Sequence, residues 1–279
     1  MKQKTKLTVG IIGLGKMGSA LAKGLVKKRF AVVGTDPKPA KIMGLKFLKS
    51  IEQVVSVSQV VLLCVKPKSF PEVLPVIAKS IVNRKKPFFI SIAAGVKIST
   101  MEKALGKKAR IARAMPNLCA FAGKSATGIA FNRNVFAREK KTALLIFDSI
   151  GKTIPLKEAN IDAVTAVSGS GPAYFYHFTS LLAKAGAKTG LPEKVSYALA
   201  VQTFLGAAAL LENELLAGKS EAGGEGKKLS ELIARIATPG GTTEAALKEF
   251  NRNHLPETAV KSVRAAKKRA GQLSKMASK

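Results

Sequence analysis

The sequence predicts two domains, an α/β sheet domain over residues 1–159 and an all-helical domain over residues 160–279. Three observations predict it. Short β-rich apolar runs alternate with helix-spaced patterns in the first half, the pattern of a parallel sheet covered on both faces. Strand signals vanish from about Ile161 onward. A glycine-rich turn at residues 13–18 joins the first apolar run to the first helical one.

In chain order, strands are expected at 7–12 (LTVGII), 31–35 (AVVGT), 60–65 (VVLLCV), 88–93 (FFISIA), 109–115 (ARIARAM) and 126–131 (ATGIAF). Helices are expected between the first four, at 17–28, 50–58 and 71–81, where apolar residues recur at helical spacing. The second half reads as helices at 173–190, 194–218, 229–237, 243–250 and 256–277. Residues 197–211, YALAVQTFLGAAALL, are apolar nearly all round, so one copy cannot cover them. A homo-oligomer is expected, a dimer or a higher assembly of dimers.

The turn reads Gly13-Leu14-Gly15-Lys16-Met17-Gly18. It follows an apolar strand, opens an Ala/Leu-rich helix, and is followed by a second strand ending at Asp36, the context of a Rossmann dinucleotide site. Gly13 permits the tight turn, Gly15 lets a pyrophosphate approach the backbone, and Gly18 lets helix and strand pack closely. Asp36 would accept hydrogen bonds from ribose hydroxyls, which favours NAD. Lys38 and Lys41 could hold a 2′-phosphate, which favours NADP.

Composition narrows the rest. Forty-seven basic and 17 acidic residues give +30, and residues 1–160 alone hold 31 against 7, net +24. No nucleic-acid motif and little aromatic interleaving accompany that charge, so it reads as a lysine-rich solvated surface that attracts anions. Cys64, Cys119, His177 and His254 are scattered, which excludes a disulfide framework and leaves no metal-ligand spacing. His177 and Tyr174 read as packed core or interface residues on a helix, and His254 as exposed. Lys2, Lys4 and Lys6 before an apolar run imitate a secretory leader, but Lys16 and the glycines interrupt it. No apolar run approaches the ~20 residues that span a bilayer. A cytoplasmic protein with reduced thiols and no membrane partner is expected.

Further clusters fall at the carboxyl ends of strands, where such a fold places its site: VKPKSF (65–70), SIAAG (91–95) and AMPN (114–117). SGSGPAY (168–174) then opens a helix, and IATPGGTTEAALKEF (236–250) breaks the chain at Pro239, Gly240 and Gly241 before another. The set GLGKMG, VKP, SIAAG, MPN, SGSGPAY, GLP (190–192) and TPGGTT, in this order, resembles the pyrroline-5-carboxylate reductase family from about Leu7 to Arg269. The resemblance implies a Rossmann domain, a helical domain that intertwines with a partner subunit, and reduction of 1-pyrroline-5-carboxylate to L-proline. It favours NADP(H), with NAD(H) as the alternative cofactor. Asp36 and Ile51 depart from the residues that the family often carries there. The expected cofactor contacts are Ile12, Gly13, Leu14, Gly15, Lys16, Met17, Gly18, Asp36, Lys38, Val65, Lys66, Pro67, Ala93 and Asn117.

Reducing a ring C=N bond needs hydride at carbon, a hydrogen bond or proton at nitrogen, and an anchor for the carboxylate. It needs no nucleophile and no acid pair, and the sequence offers none. Amides of Gly241, Thr242 and Thr243 at a helix start can bind the carboxylate, and the Thr243 hydroxyl can meet the ring nitrogen. Glu158 matches the family's acidic position before the first long helix. Two other functions are weighed. A hydroxy-acid dehydrogenase would place a lysine on the long helix after the crossover, but the first basic residue after Ile161 is Lys184. A basic nucleic-acid-binding scaffold would not need GLGKMG and TPGGTT intact.

Overall fold

The computed structural model describes residues 7–38, 41–82, 86–217 and 224–276. Lys2, Lys4 and Lys6, and the last residues of the helices expected at 194–218 and 256–277, lie outside them. The chain forms two compact units, Met1–Pro172 with Val263–Lys279, and Ala173–Ser262. The helical segment does start at Ile161, but its first turns stay in the first unit because Ile161 and Ala166 are buried in that unit.

In the first unit β1 (Thr8–Ile12), α1 (Lys16–Lys27), β2 (Ala31–Thr35), β3 (Leu45–Phe47), α2 (Ile51–Val57) and β4 (Val60–Leu63) follow in order. Then come α3 (Phe70–Ser80), β5 (Phe88–Ser91), α4 (Ile98–Leu105), β6 (Arg110–Met115), β7 (Ser125–Phe131), α5 (Ala137–Phe147) and β8 (Gly151–Pro155). The strands make one sheet in the order β3-β2-β1-β4-β5-β6-β7-β8. Strand order reverses at β1, which lies between β2 and β4, so a crevice is expected at the carboxyl end of β1.

Alternate residues face opposite sides of the sheet. Ile11, Leu62 and Ile90 join Leu21, Leu25 and Phe147 on one face. Ile12, Leu63 and Phe89 join Ile77 and Met101 on the other. Burying each of these large side chains stabilises the fold by roughly 1.5–3 kcal/mol. One pair departs from the parallel rule: β6 and β7 run antiparallel. Only a short loop with a 3₁₀ turn at Leu118–Ala122 joins them, too little chain for a crossover.

After β8 come α6 (Ile161–Val164), a π-turn (Thr165–Gly169) and α7 (Gly171–Lys188). The chain continues through α8 (Glu193–Ala217), α9 (Glu225–Ile236), α10 (Thr242–Arg252) and α11 (Leu255–Met276). Inside the second unit Phe175 stacks on Phe204 with ring centroids 5.9 Å apart, and Arg235 pairs with Glu214 at 2.6 Å. These helices leave much apolar surface open, including Phe175 at 61%, Tyr176 at 65% and Leu205 at 55% exposure. The segment Glu193–Leu216 is, by length and composition, long and apolar enough to cross a membrane, which corrects the expectation that no stretch approaches a span. Within residues 198–211 Gln202, Thr203 and Gly206 interrupt a strict apolar run.

Candidate active site

The turn after β1 is shaped by its glycines. Gly13 has φ +96°, and a Cβ there would stand 2.9 Å from the backbone of Cys64 and Val65 at the end of β4. A Cβ on Gly18 would stand 2.0 Å from the Gly13 carbonyl oxygen, so only glycine lets α1 pack so closely on the turn. Gly15 differs: it caps α1, is exposed, and a Cβ there would meet nothing within 4 Å. No side chain caps this helix start, so the first amides of α1, beginning at Lys16 and Met17, lack intrahelical partners and face an anion's natural position.

Beside this turn lies a crevice of about 580 Å³ at the carboxyl edge of the sheet. Of the expected cofactor residues Ile12, Gly13, Gly15, Asp36, Val65 and Lys66 line it. Leu14 is buried beneath the turn, Gly18 is buried, Met17 is half-buried, and Lys16 and Lys38 are exposed. Pro67 starts the 3₁₀ turn Pro67–Ser69 that follows Lys66. A larger hollow of about 680 Å³ opens at the opposite edge of the sheet, beside Val60, Phe88 and Arg110, and no expected site residue reaches it.

Sequence reasoning missed Lys49, Glu52 and Glu72, which also line the crevice, as does Ser69 of the VKPKSF cluster. The first two flank the start of α2, where Ser50 accepts the Gln53 N–H as the helix cap. Backbone donation at the helix start, then the Ser50 hydroxyl, holds the Glu52 carboxyl below its ordinary range. Ile51 also lines the crevice, at the position where it departs from the family's common residue. With three carboxylates and two lysines in its lining, the crevice does not share the large positive excess of residues 1–160.

The Asp36 carboxylate is bonded to the backbone of its own surroundings. Its Oδ2 accepts the Leu14 N–H at 2.7 Å and its Oδ1 accepts the Lys38 N–H at 2.9 Å. The Leu14 amide is therefore not open to a phosphate, unlike those at the start of α1. Desolvation pushes the Cys64 thiol at the crevice up, so it stays protonated and is no nucleophile.

Three expected residues are engaged in building the unit. Ala93 is buried and its N–H donates to Ser91 Oγ. Asn117 donates both amide hydrogens to Ser168, at 3.0 Å to the carbonyl and 3.1 Å to the hydroxyl, and accepts the Cys119 N–H. Its side chain thus ties the MPN segment to the π-turn, where Ser168 also donates to the Ala126 carbonyl. Glu158 accepts the Ile98 N–H at 2.8 Å, at the start of α4, and lies 3.6 Å from buried Arg113. Arg113 also pairs with Asp162 at 3.2 Å, and Ser274 of α11 donates to the same oxygen.

Gly241, Thr242 and Thr243 lie in the second unit at the start of α10. Gly240 has φ +72°, and Gly241 donates its N–H to the Thr238 carbonyl at 3.0 Å. This corrects the expectation for Gly241, whose amide closes the turn instead of facing a ligand. Glu244 reaches back to accept the Gly240 N–H at 2.8 Å, which fixes the turn. The amides of Thr242 and Thr243 stand in the first helical turn with no side-chain cap. Among the described residues the Thr243 hydroxyl has no hydrogen-bond partner.

Two families match successive parts of the chain. The family described as pyrroline-5-carboxylate reductase dimerisation matches residues 158–273, and the family described as NADP oxidoreductase, coenzyme F420-dependent, matches residues 8–95. The chain is 33% identical to pyrroline-5-carboxylate reductase of Mycobacterium tuberculosis, over 95% of this chain and 96% of that protein. It is equally 33% identical to that of Methanosarcina acetivorans, over 96% and 98%. Among solved structures, a pyrroline-5-carboxylate reductase from Coxiella burnetii superposes with a TM-score of 0.87 at 30% identity, covering 97% and 99% of the two chains. The Plasmodium falciparum pyrroline carboxylate reductase with NADP bound gives 0.78 at 29% identity, covering 96% and 98%.

Proposed function

The chain belongs to the pyrroline-5-carboxylate reductase family, and from that premise we propose how its residues reduce 1-pyrroline-5-carboxylate to L-proline with NADPH. The observation that carries the reading is the open cradle at Gly15. A site with no neighbour within 4 Å, beside uncapped amides at the start of α1 and a crevice of about 580 Å³, fits a dinucleotide pyrophosphate. Gly15, Lys16 and Met17 would hold the phosphates through backbone N–H groups, with Val65 and Lys66 lining the far wall. When bound, NADPH supplies the hydride.

The second unit supplies what the substrate needs. The Thr242 and Thr243 amides bind the ring carboxylate, and the Thr243 hydroxyl donates a hydrogen bond to the ring nitrogen. Its free hydroxyl at an uncapped helix start supports this assignment. Glu158 acts from behind: its carboxylate fixes the start of α4 and neutralises Arg113. Ala93 and Asn117 likewise shape the loops and do not touch the cofactor. Lys38 is left free by its side chain to meet a 2′-phosphate.

The working form is a homo-oligomer built on a dimer, in which the exposed apolar faces of α7 and α8 cover those of a second copy. That role accounts for the apolar composition of Glu193–Leu216 without a membrane. Both cysteines are free thiols, which suits the reducing cytoplasm. The test is NADPH consumption in the presence of 1-pyrroline-5-carboxylate, with L-proline identified as product. Absence of turnover in a folded, NADPH-binding sample would sink the reading.

A further inference from the structure

Asp36 occupies the place from which a carboxylate reads the adenosine ribose, yet its observed partners are backbone amides. The end of β2 grips the glycine turn twice: the Thr35 carbonyl accepts the Gly13 N–H at 2.9 Å, and Asp36 Oδ2 accepts the next amide, Leu14, at 2.7 Å. The Leu14 carbonyl in turn accepts the Ser19 hydroxyl at 2.5 Å, and the Leu14 side chain is buried in the core. Leu14 is thus fixed at its amide, its carbonyl and its side chain. Gly13 at φ +96° has no stiffness of its own to keep that shape. The other carboxylate oxygen accepts the Lys38 N–H and so sets the course of the chain that carries Lys38 past the crevice.

We propose that Asp36 is a positioning residue, which clamps the glycine turn in the shape that receives the pyrophosphate, and not the residue that selects between NADH and NADPH. The inference rests on the dinucleotide reading above. Two N–H donors partly neutralise the carboxylate, so a 2′-phosphate does not meet a bare charge there. Geometry at the turn serves the pyrophosphate, which both cofactors share. Losing the clamp therefore weakens both together.

The experiment is fluorescence titration of NADH and of NADPH into wild type, Asp36→Ser and Asp36→Glu, with amide hydrogen exchange followed at Leu14. Asp36→Glu keeps the charge but is one methylene too long to hold both amides. The clamp predicts that either variant weakens both cofactors, roughly tenfold for a lost charged hydrogen bond, with their ratio unchanged. It also predicts faster exchange at Leu14 in both. The inference is overturned if Asp36→Ser gains affinity for NADPH while Asp36→Glu keeps the wild-type ratio, since charge alone would then decide. Wild type that binds neither cofactor would sink the dinucleotide reading, and this inference with it.

Discussion

The two units solve the burial problem differently. The sheet unit closes on itself: helices cover both faces, and Ile11, Leu62, Phe89 and Ile90 have no exposed surface. The helical unit leaves Phe175, Tyr176, Leu199 and Leu205 open, the last two along α8, which has no polar side to turn toward water. Sheet layers bury apolar residues within one chain, whereas α8, apolar all round, needs more neighbours than its own unit provides. The first unit is a complete domain. The second leaves apolar faces uncovered, in keeping with its match to a dimerisation family.

The largest expected effect comes from breaking that shared core. Leu205→Glu puts a carboxylate into the interface, where an unpaired buried charge costs roughly 3–5 kcal/mol. Light scattering should show monomer, with activity lost alongside assembly. Leu145→Glu on α5 in the sheet unit, at a residue of similar exposure, should stay within about 0.5 kcal/mol of wild type and keep the oligomer. Equal behaviour of the two variants would erase the contrast between the units.

Next comes the division of chemistry between them. Thr243→Val keeps the shape and removes the hydroxyl, and kcat should fall roughly 10²-fold, the effect of losing one preorganised donor. Dinucleotide affinity should not change. Thr242→Val should do less, because its amide survives. Near-normal kcat for Thr243→Val with a lowered melting temperature would reduce the threonine to a helix-start residue.

Within the sheet unit three glycines sharpen the picture. Gly18→Ala drives a methyl group against the Gly13 carbonyl, costing about 1–3 kcal/mol of stability and the dinucleotide site with it. Gly15→Ala meets open space, so denaturant melts should match wild type while dinucleotide titration shows the loss. An effect on stability alone is expected at Gly95. Its φ of +85° and a contact of 3.1 Å with the Leu273 backbone make Gly95→Ala unfavourable by about 1–2 kcal/mol, a shift of a few degrees in Tm.

The sequence reveals the frame and hides its borders. Strands β1, β2, β4, β5, β6 and β7 announce themselves as apolar β-rich runs, and the glycine turn follows from its setting between strand and helix. β3 is three residues with a lysine in the middle, and β8 reads GKTIP at the sheet edge, so neither carries a periodic signal. In α5 the charged start AREKKT hides a helix whose buried side is only Ala143, Ile146 and Phe147. Within the candidate site, residue types pointed to loops but not to the bonds those loops make. Asp36, Asn117 and Gly241 each bond the nearby chain, and a hydrogen bond to a backbone amide or carbonyl leaves no mark on residue type. Glu52 reads from sequence only as part of a helix start, because nothing in its residue type marks it as a crevice wall.

Activity and assembly are expected to go together, and both can be read from a single sample. NADPH consumption with 1-pyrroline-5-carboxylate should be measured across a size-exclusion peak whose mass is followed by light scattering. Proline formation should coincide with the dimer or a larger assembly and fall as dilution releases monomer. Full activity in a monomeric fraction, or none in the oligomer, would contradict it.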